Sequence, residues 1–210
     1  MRYTIAKLAS FSLLLAVSAV LNAQTPMQIL DKTAAKIEQS NGISGTFTLT
    51  TFEGTTARDK VTGTMQIKGQ MYLLKTPQIT TWYNGQKMWT LMQGSDEVSL
   101  TIPTPEELQK SSPIAFLKVY KKGYKLSCKT ATLRGKDTWE VTLKSKKKGT
   151  PHTIIVNIDK QTSLPMCIRI NENGQWTRIS ANNLNTNRQL TPAQFSFPSK
   201  DYPNVQVIEL

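Results

Sequence analysis

The chain reads as an α+β domain built on one large antiparallel sheet, and three observations carry that reading. Val61, Gly63, Met65 and Ile67 alternate with Thr62, Thr64, Gln66 and Lys68, the period of two that marks a strand with one face on a core and one in water. Two segments with helix-start signals and helical spacing, near residues 25–41 and 104–120, interrupt the strands. After Tyr124 short apolar runs follow one another, and Asn173-Gly174 supplies a hairpin turn between the last two. A helix, many strands, a helical insert and more strands are the order expected of an α+β domain.

The first residues set the compartment. Arg2 and Lys7 precede a mostly apolar, uncharged stretch from Leu8 to Val20, and Asn22-Ala23 precede Gln24. The apolar stretch is too short to span a bilayer, so residues 1–23 are expected to be a secretory signal peptide. Residues 24–210 then form a single domain, exported and soluble, and no cysteine lies near the cut to carry a lipid anchor.

Thr25 caps the first helix, Pro26 suits its first turn, and Met27, Leu30, Ala34 and Ile37 recur at helical spacing until Asn41-Gly42 ends it. Ile43, Gly45, Phe47 and Leu49 alternate with Ser44, Thr46, Thr48 and Thr50 to give the first strand. The segment from Gln70 to Lys75 is apolar on both parities, which predicts cover on both faces. Trp82, Tyr83, Met88, Trp89, Leu91 and Met92 follow, and Val98, Leu100 and Ile102 close the first group of strands. Thr104-Pro105-Glu106-Glu107 is a capping box with proline at the first helical position. Ser112-Pro113 starts a second short helix, whose Ile114, Phe116, Leu117 and Tyr120 predict a sandwiched element. Strands are then predicted at Tyr124–Thr130, Trp139–Leu143, Ile154–Ile158, Met166–Ile170 and Trp176–Ala181.

The formal charge of +12 leaves +10 once Arg2 and Lys7 are set aside. Lysines cluster at Lys118, Lys121, Lys122 and Lys125, and again at Lys144, Lys146, Lys147 and Lys148. On an exported protein such a surface suits anionic headgroups or acidic partners, although the second run also reads as a solvated hairpin tip. The aromatics do not interleave with the lysines, which argues against nucleic acid.

The sequence lacks a nucleophile elbow, a P-loop and a dinucleotide fingerprint. The lone His152 cannot build a metal site by itself, and Glu106-Glu107 is explained by helix capping. These observations argue against an enzyme and imply neither cofactor nor metal. Cys128 and Cys167 fall on different strand parities, which favours two unpaired thiols unless a bulge intervenes.

The order of motifs resembles the LolA family of periplasmic carriers of outer-membrane lipoproteins. The resemblance rests on Gly63 to Leu91 with Pro77, the Asn84-Gly85 turn and Trp89, and on Ser112-Pro113 with Phe116-Leu117, which is similar to the family's Asn-Pro-x-x-Leu-Leu helix. Asp159, Leu164-Pro165, Asn173-Gly174 and Phe195-x-Phe197-Pro198 complete it. It implies a strongly curved antiparallel sheet, an incomplete β-barrel, with helices covering the open, apolar inner face. It also implies a cavity for acyl chains lined by Phe47, Leu49, Met65, Ile67, Tyr72, Leu74, Trp82, Trp89 and Leu91, and a lid carrying Met27, Ile114 and Leu117. The flexible Met65, Met71, Met88 and Met92 suit mobile chains.

The implied function is a monomeric periplasmic shuttle that takes acylated lipoproteins from an inner-membrane ABC-type release complex to an outer-membrane acceptor. A sensor of lipid or lipoprotein, or a structural protein with a filled sheet, are the alternatives. Better-studied members carry an Arg-Pro before the aromatic strand, and the arginine helps to latch the lid. Here Ile67-Lys68-Gly69 stands in its place, and a lysine lacks the arginine's planar fork.

Overall fold

A computed structural model describes residues 24–112, 114, 117, 120–147 and 152–210. The expected signal peptide lies outside these residues, as do Pro113, Phe116, Lys118 and Lys148. Among the described residues no helix is long and apolar enough to cross a membrane.

Helix α1 spans Pro26–Glu38 and opens on a capping box. The Gln28 N–H donates to Thr25 Oγ1 at 3.2 Å and the Thr25 N–H to Gln28 Oε1 at 2.9 Å, satisfying two donors that the helix leaves free. Strands β1 (Ile43–Glu53), β2 (Thr56–Lys68), β3 (Met71–Lys75), β4 (Ile79–Tyr83), β5 (Met88–Met92) and β6 (Glu97–Thr101) follow. Helix α2 (Pro105–Ser111) repeats the capping-box device, with Glu107 Oε2 accepting from the Thr104 N–H at 2.7 Å. The second half contains β7 (Tyr124–Leu133), β8 (Lys136–Ser145), β9 (His152–Asp159), β10 (Pro165–Glu172), β11 (Gln175–Asn185) and β12 (Gln206–Glu209).

These twelve strands form one large, open, curved sheet in the order β12-β6-β5-β4-β3-β2-β1-β11-β10-β9-β8-β7. Ten neighbouring pairs run antiparallel, as expected of one large antiparallel sheet, but β12 joins β6 in parallel. The chain reaches that edge through residues 186–205 rather than a hairpin, so antiparallel entry is not imposed. Strand β2 also starts five residues before the alternating run, because its polar first stretch is held by β1. There the Asp59 N–H donates to Thr51 Oγ1, and Arg58 pairs with Glu53.

Register sorts the side chains between the two faces. Gly63 lies opposite Phe47, Met65 opposite Gly45 and Leu74, and Ile67 opposite Ile43 and Tyr72. On the other side of β1, Leu49 faces Ile179 and Phe47 faces Ala181. The series continues through Ile168, Val156 and Val141 to Cys128. Partners across a ladder share a face, so this first face is apolar across most of the sheet.

Two core clusters sit on the first face. Ile29 and Leu30 of α1 pack with Tyr120, Val141, Leu143, Ile154, Val156, Ile158 and Ile168. Ile37 of the same helix packs with Ile43, Phe47, Met65, Ile67, Tyr72, Tyr83, Ile114 and Leu164. The α1 residues in these clusters recur at 29, 30 and 37, one stripe of the helix.

A third cluster occupies the reverse face, where Trp82, Leu91 and Val98 pack with Leu73, Trp89, Phe197, Tyr202 and Val205. Trp82 meets the Phe197 ring edge-on at 5.4 Å and the Tyr202 ring at 6.1 Å. The segment between β11 and β12 thus covers the second face of β3–β6, which the double apolar parity near Met71–Leu74 requires.

Candidate functional site

The apolar first face encloses a cavity of about 40 Å³ lined by Ile37 of α1, Ile114, and sheet residues Ile43, Met65, Ile67, Leu164, Pro165, Cys167, Ile168, Ile179, Ala181 and Leu184. None of these side chains carries a charge at neutral pH. The volume admits a water or two but is far below the ~300–1,000 Å³ of a pocket that holds a drug-sized ligand.

The expected cavity residues divide by strand parity. Met65, Ile67 and Ile114 line the cavity. Phe47, Tyr72, Leu49, Leu74 and Leu117 belong to the packed cluster around it. Trp82, Trp89 and Leu91 do not come to this place. Register puts Tyr83, not Trp82, opposite Tyr72, and sets Trp82 opposite Leu73 and Trp89. That one-residue offset turns the tryptophans and Leu91 to the reverse face, against the C-terminal segment. Met27 is 36% exposed at the first turn of α1. Of the other methionines, Met88 packs at the margin of the Phe47 cluster, while Met92 is 62% exposed.

Sequence reasoning missed Ile43, Ile168, Ile179 and Ala181, although they follow the same alternation that singled out Met65 and Ile67. Ile43 shares parity with Phe47, and Ile179 and Ala181 pair directly with Leu49 and Phe47. Leu164 and Pro165 follow the β9–β10 turn, where no periodicity signals a lining role. Asp159 builds that turn by accepting from the Gln161 and Thr162 N–H groups at 2.8 and 3.1 Å and from Lys136 Nζ at 3.1 Å. Burial pushes the Asp159 carboxyl up, yet those three donors outweigh it and hold it below the ordinary aspartate range.

Glycine has a specific use at position 63. A Cβ there would lie 2.7 and 2.8 Å from the Phe47 ring carbons Cζ and Cε1, and closer still to the Lys75 carbonyl oxygen. Phe47 therefore lies across the β2 backbone, a placement that any side chain at position 63 would obstruct.

Polar contacts tie the neighbouring elements together. Tyr120 is buried at 2% exposure and donates its hydroxyl to Asp31 Oδ1 of α1 at 2.5 Å. Burial, then the bond to Asp31, pushes the Tyr120 hydroxyl well above the ordinary tyrosine range. Lys68 donates to the Leu190 carbonyl at 2.6 Å and so holds the segment after β11, not α1 or Ile114. His152 Nδ1 lies 2.7 Å from the Tyr124 hydroxyl oxygen, a structural pairing of two strands. Cys128 and Cys167 are both free, and burial pushes the Cys167 thiol up, which suppresses the reactive thiolate. Among the described residues no three His, Cys, Asp or Glu side chains gather as a metal site.

Comparison with known proteins adds a family. Residues 17–187 match the family model described as outer membrane lipoprotein carrier protein LolA. Among solved structures, the chain is similar to a LolA superfamily protein from Nitrosomonas europaea, at 10% identity over 83% of this chain and 99% of that one, with a TM-score of 0.47. It is similar to MucB at 14% identity over 83% of this chain, with a TM-score of 0.50, and spans 63% of the MucB chain. It is also similar to the Mycobacterium tuberculosis lipoprotein LppX, at 11% identity over 76% of this chain and 94% of that one, with a TM-score of 0.45. No curated protein sequence matches significantly. At such identities the likeness to MucB bears on fold alone.

Proposed function

Since the chain belongs to the family of outer membrane lipoprotein carrier proteins LolA, we propose that it is a periplasmic protein that binds the acyl chains of lipoproteins between α1, Ile114 and the apolar first face of the sheet. The observation that carries this reading is the uncharged cavity bounded by Ile37, Ile114, Met65, Ile67 and Ala181. A core of this size has no structural need for a void, since close packing is the ordinary state of an interior. A void bounded by a helix on one side and a sheet on the other can grow by displacing the helix, without breaking the sheet ladder.

The driving force is substantial. Each methylene removed from water is worth about 0.8 kcal/mol, so an acylated protein crosses an aqueous space only inside a cover. On this reading α1, Ile114 and Tyr120 act as that cover, and the residues that pack under them become the acyl-contacting surface when it opens. Phe47, Leu49, Tyr72 and Leu74 extend that surface along β1–β3. Loading from an inner-membrane ABC-type complex and delivery to an outer-membrane acceptor would complete the shuttle, with the protein acting as a monomer and without catalysis.

The test uses a fluorescent fatty-acid probe and the variant Ala181→Leu. Three added carbons would fill the void, so uptake is expected to fall at least tenfold while thermal stability stays near that of the parent. Equal uptake by the parent and a folded Ala181→Leu protein would refute this location of the site. A parent that takes up no probe and carries no lipid from its native envelope would refute the function.

A further inference from the structure

Residues 118–148 hold eleven of the 26 Lys and Arg but only two of the 14 Asp and Glu, a net +9 of the chain's formal +12. The fold draws residues 121–125 and 144–147 of this stretch together. Strands β7 and β8 pair antiparallel with Lys125 directly opposite Lys144, and the Lys146 N–H donates to the Gly123 carbonyl at 2.8 Å. Lys121, Lys122, Lys125, Lys144, Lys146 and Lys147 therefore meet at one end of the ladder, all exposed.

The other described cations of the stretch are partnered. Lys129 pairs with Glu140 at 3.1 Å and Lys136 with Asp159 at 3.1 Å, while Arg134 donates to the Met166 and Ala181 carbonyls. Within the cluster Lys121 reaches Asp31 at 3.6 Å. The remaining five lysines form no ion pair among the described residues. Like charges directly opposite on a ladder destabilise it, so this end of the hairpin carries an electrostatic burden that the fold does not need.

We propose that the lysine end of β7–β8 is a docking surface for the anionic headgroups of a bilayer. Its chemistry favours a membrane over an acidic protein for two reasons. The cluster contains no arginine, and lysine is a hydrated point charge on a flexible stem, suited to a diffuse field of headgroups more than to bidentate pairing. Among the described residues it also has no apolar centre of the kind that anchors protein interfaces, since those that are large, hydrophobic and exposed lie elsewhere, at Met27, Ile79, Met92, Ile102, Val207 and Leu210. Tyr120, adjacent to Lys121, packs with Ile29 and Leu30 of α1. Docking would therefore bring the α1 side of the first face toward the bilayer.

This surface stands apart from the acyl site, and its test does not need acyl binding. The protein is sedimented with vesicles of phosphatidylcholine alone and of phosphatidylcholine mixed with phosphatidylglycerol. Binding is expected only to the mixed vesicles, and it should weaken as salt shortens the screening length from ~30 Å at 0.01 M to ~8 Å at 0.15 M. Each lysine near such a surface contributes about fivefold in partitioning, the equivalent of about 1 kcal/mol. The variant Lys125→Gln/Lys144→Gln/Lys147→Gln should thus lose about a hundredfold, while the matching arginine triple variant should bind like the parent. Uptake of the fatty-acid probe should be the same in both triple variants, which keeps this surface separable from the acyl site. Equal binding to neutral vesicles, or a folded glutamine variant that binds unchanged, would overturn the proposal. So would lysine-dependent retention on immobilised polyglutamate without binding to the mixed vesicles, which would assign the surface to an acidic protein.

Discussion

On the proposed reading, replacing Tyr120 with phenylalanine should loosen the cover over the proposed acyl site while leaving its apolar packing in place. The ring stays in its cluster with Ile29 and Leu30, and only the hydroxyl at 2.5 Å from Asp31 is lost. A hydrogen bond to a charged group contributes about 1.5–3 kcal/mol. Asp31 is half exposed and regains water when abandoned, so the net loss should be nearer 1 kcal/mol. For a chain of this size that corresponds to a fall in Tm of about 2–4 °C. If the Tyr120–Asp31 bond is broken in the open state, the same 1 kcal/mol raises the open population about fivefold, and stopped-flow uptake of the fatty-acid probe should accelerate by that factor.

The alkaline limb supplies a second readout of the same bond. Tyr120 ionises at higher pH in the folded than in the unfolded chain, so its contribution is complete below about pH 10 and declines as pH rises above that value. Tyr120→Phe should flatten part of that decline. A measured loss of stability with no change in uptake rate would refute the gating argument, because α1 and Tyr120 would then move as one body.

Other perturbations follow from particular contacts. Gly63→Ala should destabilise by about 1–3 kcal/mol through overpacking against Phe47 and the Lys75 carbonyl, seen as a lowered denaturant midpoint with an unchanged slope; an unchanged midpoint would show that the Phe47 ring and the β3 backbone at Lys75 both yield freely. Asp159 is depressed by its turn donors, so its contribution is present above about pH 4 and is lost as pH falls further. Asp159→Asn should cost about 1–3 kcal/mol at neutral pH, with the difference from the parent shrinking in acid. A difference that stays constant between pH 7 and pH 2 would assign the effect to the turn geometry and not to the charge.

Much of the fold was legible because the sheet alternates. The runs at Ile43–Leu49 and Val61–Lys68 each announce a half-buried strand, and the capping boxes at Thr25 and Thr104 mark the helix starts to the residue. The lining of the candidate cavity was legible in part. Met65, Ile67 and Ile114 were drawn from their strand and helix and do bound the cavity. Trp82, Trp89 and Leu91 could not be assigned by composition, because β3 and β4 are apolar on both parities. Only the cross-strand register of Tyr72 with Tyr83 decides which half of those residues faces α1. The parallel edge strand β12 and the return of Phe197 and Tyr202 onto Trp82 depend on contacts more than a hundred residues apart in the chain. No local pattern encodes such contacts.

The lysine at position 68 shows how a departure from the family pattern can relocate a task. The resemblance assigns a lid latch to an arginine at the end of the strand that precedes the aromatic one. Here the corresponding ammonium is committed to the Leu190 carbonyl, at a point where Leu190 also packs against Gly42 and its N–H donates to the Asn41 carbonyl at 3.1 Å. Lys68 thus fixes the C-terminal segment to the end of α1's connection into β1, and a fixed junction is what a hinge requires. On the proposed reading, closure passes to Tyr120 and Asp31, near the middle of α1. Lys68→Ala should then loosen the junction at Leu190 and lower stability without the increase in uptake rate expected of Tyr120→Phe. Faster uptake from Lys68→Ala than from Tyr120→Phe would return the latch to position 68.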